Sequence, residues 1–266
     1  MKRLFAACPL ALLAGCFLPV STAAPQSAST VGAGSAGVTM YGEFPTLDLL
    51  GTETQATSEV DYAIAPLPTM TLAAAYGLGE RLDVEVGLDG VMYIVLPLPL
   101  GGSIGLRYQA VDSPGLALAL FGRAGYVGLG VSDAEENDPN STHSVTATYG
   151  QAGVVAQARA LGPFRPGLAL AIMPARVHNE IKSETAENFG AVAASATVNL
   201  TFAIGWFEAT PFVNFVAFDS PNLKGRHAFA TFGTAFSIRP QKAPRPPVAE
   251  AAPPAGPVAP VAPYLR

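Results

Sequence analysis

The sequence predicts an all-β fold: a closed, antiparallel transmembrane β-barrel of about ten strands, with eight or twelve as the alternatives. Three observations point there. The first is alternation, clearest where Val192, Ala194, Ala196, Val198, Leu200, Phe202 and Ile204 interleave with Ala193, Ser195, Thr197, Asn199, Thr201 and Ala203. Successive side chains of a strand point to opposite faces, so this stretch has one apolar side and one small or polar side. It is longer than the usual soluble strand and near the length that crosses a bilayer at a tilt. The second is composition. The 266 residues are 50% hydrophobic and only 13% charged, against roughly 25% charged in soluble domains. Yet past the N-terminus there is no uninterrupted apolar run of about 18 residues, the length a membrane helix needs. The third is the rhythm of the connections. From Val111 on, tight ones (Val111 to Gly115, Leu161 to Pro166, Gly205-Trp206) alternate with longer polar ones (Ser132 to Ser144, Asn179 to Gly190, Asp219 to Arg226). Short turns on one side and long loops on the other are what membrane barrels show.

Residues 1–23 read as an export signal. Lys2 and Arg3 form a positive start, and Leu4 to Leu18 is an apolar stretch too short to span a membrane. Two processing sites compete. Leu13-Ala14-Gly15-Cys16 resembles the lipobox of bacterial lipoproteins, which would make Cys16 the lipidated first residue and confine the signal to residues 1–15; Ser21-Thr22-Ala23 offers an ordinary small-residue cut before Ala24. Either route takes the protein out of the cytoplasm. Cys8 and Cys16 are the two cysteines, so no disulfide or Cys-based metal site is expected in the mature chain. Residues 24–37, rich in Ala, Ser, Gly and Thr, read as a flexible leader.

The barrel is expected over residues 38–238. Val38 to Phe44 and Val60 to Ala65 are ambiguous, and one of them must supply a strand to make the number even. Met70, Leu72, Ala74 and Tyr76 then share an apolar face, and a tight turn leads into Leu82, Val84, Val86 and Leu88 set against Asp83, Glu85, Gly87 and Asp89. Ile104, Leu106 and Tyr108 oppose Arg107 and Gln109; Leu116, Leu118, Leu120 and Tyr126 oppose Phe121 and Arg123. Weaker strands cover 146–161 and 168–177. The last are 192–204, 207–218 (with Glu208, Thr210 and Asn214 on the polar side) and 228–238. Residues 239–266, dense in Pro and Ala, form a tail that should not pack as helix or strand.

The hairpin Tyr76-Gly77-Leu78-Gly79-Glu80-Arg81-Leu82-Asp83-Val84-Glu85-Val86-Gly87 resembles one common in small bacterial outer-membrane β-barrel proteins, and the likeness extends loosely over Met70 to Ile238. It implies residence in the outer membrane of a Gram-negative envelope, export by the signal peptide, lipid as the immediate partner, a porin-like but non-enzymatic structural, small-pore or surface-interaction role and no cofactor. A departure is that such barrels close on an aromatic-ended last strand, whereas here the tail follows Ile238.

With the apolar faces on lipid, Asp83, Glu85, Asp89, Arg107, Arg123, Arg159 and Glu208 point into the lumen. They would form either a charged constriction for solutes or, as their mixed signs favour, mutually paired filling of a narrow barrel. His143, His178 and His227 fall at loop or strand-tip positions, with nothing in their spacing that demands a metal site. His143 and Ser144 are adjacent, so they point to opposite faces and suit a nucleophile–base pair poorly. The acidic loop Asp133 to Asn140 reads as solvated, with Ca²⁺ ligation the lesser alternative. A net charge of −5 without a Lys/Arg cluster gives no support for nucleic-acid binding. A monomer is expected, and the tail could reach a cell-wall or periplasmic partner. The contrasting expectations are a lipid-anchored soluble periplasmic β-barrel or sandwich that binds an apolar ligand, and a lipid-hydrolysing barrel.

Overall fold

The computed structural model describes residues 21–25, 27–48, 68–93, 96–132, 142–159, 161–180, 187–219 and 227–240. Among these, ten strands form one closed barrel: β1 (Ala36–Asp48), β2 (Thr69–Gly77), β3 (Leu82–Tyr93), β4 (Leu96–Asp112), β5 (Leu116–Ser132), β6 (Thr142–Ala158), β7 (Phe164–Glu180), β8 (Glu187–Ile204), β9 (Phe207–Asp219) and β10 (His227–Ile238). Each strand pairs antiparallel with the next, and β1 closes on β10 through Val38 opposite Ile238 to Phe44 opposite Phe232. The uncertain tenth strand is therefore β1, two residues longer at its start than expected. The other ambiguous stretch, 60–65, lies outside the described residues.

Side-chain polarity dictates which way each strand faces. Leu72, Leu88, Ile104, Leu170, Ile172, Val198, Leu200 and Phe215 are all exposed on the outer surface, while Thr71, Asp89, Arg107, Gln151, Thr197, Asn199 and Asn214 are buried inside. That is the reverse of a soluble protein, which rarely leaves a large contiguous apolar patch in water. A bulge between Gln109 and Val111 resets the period within β4, so that Gln109 stays inside while Val111 turns outward.

Strand length agrees with this polarity. Strands β4 to β7 are 17 residues each and β8 is 18. Roughly 10 tilted residues suffice to cross the hydrocarbon core, so these staves continue past it. The sequence places this strand at 168–177, after a tight connection from Leu161 to Pro166. Instead β7 begins at Phe164 and runs through Pro166 and Pro174, held by its pairing with β8 on either side, Arg165 opposite Thr201 and Gly167 opposite Asn199.

One end of the barrel carries the connections 78–81, 113–115, 159–163 and 205–206, together with the start of β1 and the end of β10. The tightest of them needs Gly205, whose φ of 58° lies in the left-handed region that glycine adopts without a Cβ penalty. Tyr76, Tyr108, Phe164, Trp206, Phe207 and Phe236 stand exposed around this short-turn end, with Phe207 stacked on Phe236 at 6.1 Å between centroids and Phe164 edge-on to Phe202 at 5.4 Å. In membrane barrels, girdles of aromatic residues, Trp and Tyr above all, sit at the level of the lipid headgroups. At the opposite end the segments 133–141, 181–186 and 220–226 lie outside the described residues; the connection 94–95 there is short, ahead of the region where the alternation of loop lengths begins.

If the outer face meets lipid, replacing Leu170, in the middle of β7, by Arg should cost about 2–4 kcal/mol, and the same change at Leu161 in the short turn only about 0–1 kcal/mol. Urea titration of folding into lipid vesicles measures both; equal costs would contradict the lipid-facing assignment.

Candidate functional site

Among the described residues, the strands gather their buried polar groups in the lumen. Of the seven charged residues singled out in the sequence, Asp83, Asp89, Arg107, Arg123 and Glu208 are buried and Glu85 and Arg159 half-buried, and they fall into two tiers and not one cluster. Toward the short-turn end, Arg107 pairs with Glu85 at 2.9 Å and Arg159 pairs with Asp112. Arg165, which the sequence did not single out, pairs with Glu208 at 3.2 Å. Asp83 is buried beside them and accepts the Val31 amide at 2.9 Å. Buried charges survive only when paired or hydrogen-bonded, so opposite signs on neighbouring inward positions stabilise a narrow lumen.

At mid-height the pairing chemistry changes. Arg123 on β5 donates to the Tyr41 hydroxyl and lies 6.0 and 5.6 Å from the ring centroids of Tyr41 and Tyr149. The Tyr149 hydroxyl donates to Asp89 at 2.7 Å, and Asp89 also accepts from Thr71 at 2.7 Å. Arg123 and Asp89 are thus joined through a tyrosine instead of touching. Beyond this tier, toward the long-loop end, the inner wall becomes apolar: Val127, Met173, Val177, Val216 and Phe218 are buried against one another.

The larger departure from expectation is what fills the lumen. Residues 24–37 read as a flexible leader in the sequence, and residues 21–23 as either the end of the signal or, with Cys16 as the first residue, part of the mature chain. Residues 21–25 and 27–32 lie inside the barrel, with Ser21, Thr22, Ala23, Ala24, Ser27, Ala28, Thr30 and Val31 all buried, while Ala33 and Gly34 are exposed at its mouth. Small side chains without periodicity look featureless in sequence, yet smallness is what lets a chain run alongside a closed wall.

The segment enters at the short-turn end, where Gly34 donates to the Gly77 carbonyl and Gly77 to the Ser35 carbonyl, both at 2.9 Å. A Cβ at Gly77 would come within 1.9 Å of the Gly32 carbonyl oxygen, so this close approach requires glycine. Deeper in, Thr30 donates to Gln109 at 3.0 Å. Ser29 takes three guanidinium donors, from Arg159 on its hydroxyl at 2.7 Å and from Arg239 and Arg107 on its carbonyl at 3.1 and 3.5 Å. Arg239 also donates to Thr39 at 3.0 Å. The first residue assigned to the tail therefore belongs to the lumen; residues 241–266 lie outside the described residues. On the other wall, Ala24 and Ala28 pack against Ala117, Ala119, Phe121, Val155 and Ala169.

The segment reaches mid-height at Glu43 of β1. One carboxylate oxygen of Glu43 accepts from the Ser21 hydroxyl at 2.6 Å and from the Thr22 and Ala23 amides at 3.1 and 3.3 Å. The other accepts from the Thr22 hydroxyl at 3.2 Å, from Asn214 at 3.0 Å and from Thr231. Around the same turn of chain, Arg123 donates to the Ser21 carbonyl at 3.0 Å, and Gln151 and Ser195 donate to the Thr22 carbonyl at 3.1 and 3.2 Å. Glu43 and Tyr41 are not singled out in the sequence because Val38 to Phe44 carries no clear register, and Gln151 because the alternation over 146–161 is weak. Asn214 and Ser195 were legible as inward-facing from the alternation alone.

The other candidates stay apart. His178 meets Asn188 at 2.9 Å near the long-loop end; the side chains of His143, Ser144 and His227, the loop 133–140 and Cys16 lie outside what is described. Among the described residues no three His, Cys, Asp or Glu side chains are grouped to hold a metal.

No protein-family model matches the chain, and no curated protein matches its sequence. Solved structures with a similar shape include Ail, the attachment invasion locus protein of Yersinia pestis, seen in complex with the heparin analogue sucrose octasulfate (8% identity, TM-score 0.36, 77% of this chain and 99% of that one). The N-terminal β-barrel domain of Pseudomonas aeruginosa OprF matches at 9% identity and TM-score 0.31, over 78% and 99% of the two chains. The outer membrane protease OmpT of Escherichia coli matches at 8% and 0.37, over 77% and 92%. Overlap this loose identifies neither lineage nor role.

Glu43 offers a direct test of the lumen geometry. In Glu43→Gln an amide donor replaces one carboxylate oxygen and confronts other donors, leaving buried groups unmet; the expected cost is about 2–4 kcal/mol, against about 1 kcal/mol for Thr231→Val, which removes a single partner. Unfolding midpoints of the two variants in vesicles check the ranking.

Proposed function

We propose that the protein is a non-enzymatic, monomeric barrel of the outer membrane, with a narrow ion-paired lumen that is closed at rest and a structural or small-pore role. One observation carries this: the apolar residues cover the outside while charged and amide side chains line the inside. In a bilayer every backbone polar group must be satisfied internally, and only a helix or a closed barrel does so. The ring of strand pairings supplies that closure. Lipid is then the immediate partner of the outer face. The short-turn end, with both ends of the barrel chain, faces the periplasm, where the Pro-rich sequence that follows Arg239 meets the cell wall or a periplasmic partner; the long loops face outward. Export by the N-terminal signal, with lipidation of Cys16, fits this placement. The seven charged lumen residues act in this reading as paired filling around the segment and not as an open selectivity ring.

A soluble, lipid-anchored barrel that binds an apolar ligand would need the opposite arrangement, a polar exterior around an apolar cavity. A hydrolase would need a nucleophile and base that a substrate can reach, and among the described residues the hydroxyls beside carboxylates, Ser21 at Glu43 and Thr71 at Asp89, are buried in the lumen network.

Fractionation decides between these. The protein is expected in the outer-membrane fraction, resistant to carbonate and salt extraction, with faster migration unboiled than boiled on a denaturing gel. Release as a soluble β-protein once lipid anchors are cleaved would overturn the proposal.

A further inference from the structure

We propose that the lumen is a built peptide-binding site whose resident ligand is this chain's own segment 21–31, that the segment is retained in the mature protein, and that its withdrawal opens a path through the barrel. This rests on the membrane-barrel reading above and goes beyond it in naming the ligand class and the position of the N-terminus.

The wall recognises backbone more than side chains. Its groups bond to the amides of Thr22, Ala23 and Val31 and to the carbonyls of Ser21, Thr22 and Ser29. These groups come from all round the barrel: Glu43 on β1, Asp83 on β3, Arg123 on β5, Gln151 on β6 and Ser195 on β8, with Arg239 just past β10. The complementary ligand is an extended, uncharged peptide of small side chains, because Ala24 and Ala28 lie flush against Ala117, Ala119 and Ala169 and leave no room for larger ones. Backbone bonds of this kind hold a chain in place without demanding much of its sequence.

The same contacts fix where processing must occur. Among the described residues, every hydrogen bond to one oxygen of the Glu43 carboxylate comes from Ser21, Thr22 or Ala23. Arg123, Gln151 and Ser195 spend donors on the carbonyls of Ser21 and Thr22. A cut before Ala24 would remove all of these partners from a buried carboxylate and guanidinium, which is strongly unfavourable. The mature chain therefore starts at or before Ser21, as it does when Cys16 is its first residue and as it does not when the small-residue site at Ser21-Thr22-Ala23 is used.

Because one chain occupies the lumen from the short-turn end to mid-height, its removal vacates about that chain's width there, and the path for ions and small solutes continues along the apolar wall of Val127, Met173, Val177, Val216 and Phe218 toward the long-loop end. The test combines mass and conductance on the full-length protein purified from outer membranes. Intact mass is expected to show a mature N-terminus at or upstream of Ser21. In planar phospholipid bilayers the intact protein should stay closed, while a variant lacking residues 21–31 should conduct and lose that conductance on addition of a synthetic peptide of residues 21–31, though not of a peptide with two alanines replaced by tryptophan. A mature chain that starts at Ala24, an intact protein that conducts as freely as the deletion, or a folded deletion that stays closed would each overturn the proposal. Heat-modifiable migration of the deletion confirms that it is a barrel, which separates failure of the plug from failure of the membrane reading. Should the deletion not fold, full-length Thr22→Pro carries the same test, since it removes an amide that Glu43 accepts: brief openings are expected, and a barrel as closed as the original contradicts the proposal.

Discussion

A strand whose two faces differ in polarity can lie in hydrocarbon only if its own backbone groups are all bonded and its polar face is turned away from lipid. That constraint governs this molecule from the pairing of β1 with β10 inward. Closure satisfies the backbone, and closure also creates an inner surface where the polar alternates of every strand collect. Groups such as Glu43, Asp89, Arg107 and Arg123 are then held away from both lipid and bulk water, where an unpaired charge costs several kcal/mol.

The lumen meets that cost in two ways. Toward the short-turn end, wall charges neutralise each other across adjacent strands, as Arg107 does with Glu85 and Arg165 with Glu208. At mid-height the wall alone does not supply enough partners, and the N-terminal segment completes the network: Glu43 takes donors from Ser21, Thr22 and Ala23, and Arg123 finds a carbonyl on Ser21. The segment is therefore a part of the fold and not an appendage to it. Its small residues fit the closed space, and its exposed amides and carbonyls provide what a buried polar wall lacks.

Much of the barrel was legible in the sequence because each strand announces itself locally. Val192 to Ile204 shows its two faces within thirteen residues, and Asp83, Glu85 and Asp89 mark an inward face simply by alternating with Val84, Val86 and Leu88. Breaks in that local signal led to the misjudged boundaries. Pro166 looks like a strand end although neighbouring pairs carry the ladder through it, and the bulge after Gln109 shifts the period within one strand. What the sequence could not show is convergence. The partners of Glu43 come from β9, from β10 and from a leader with no periodicity at all, and only closure brings them within reach.

The central claim is that alternate residues of each stave face lipid and a filled interior. Single spin labels placed along Val192 to Ile204 in vesicle-embedded protein measure this most directly, through collision rates with oxygen dissolved in lipid and with a water-soluble paramagnetic nickel chelate. The account predicts a period of two: high oxygen accessibility at Ala194, Val198 and Leu200, and low accessibility to both reagents at Ser195, Thr197 and Asn199. Strong nickel accessibility at Val198 and Leu200, with no oxygen preference, would show that the apolar face meets water and would contradict it.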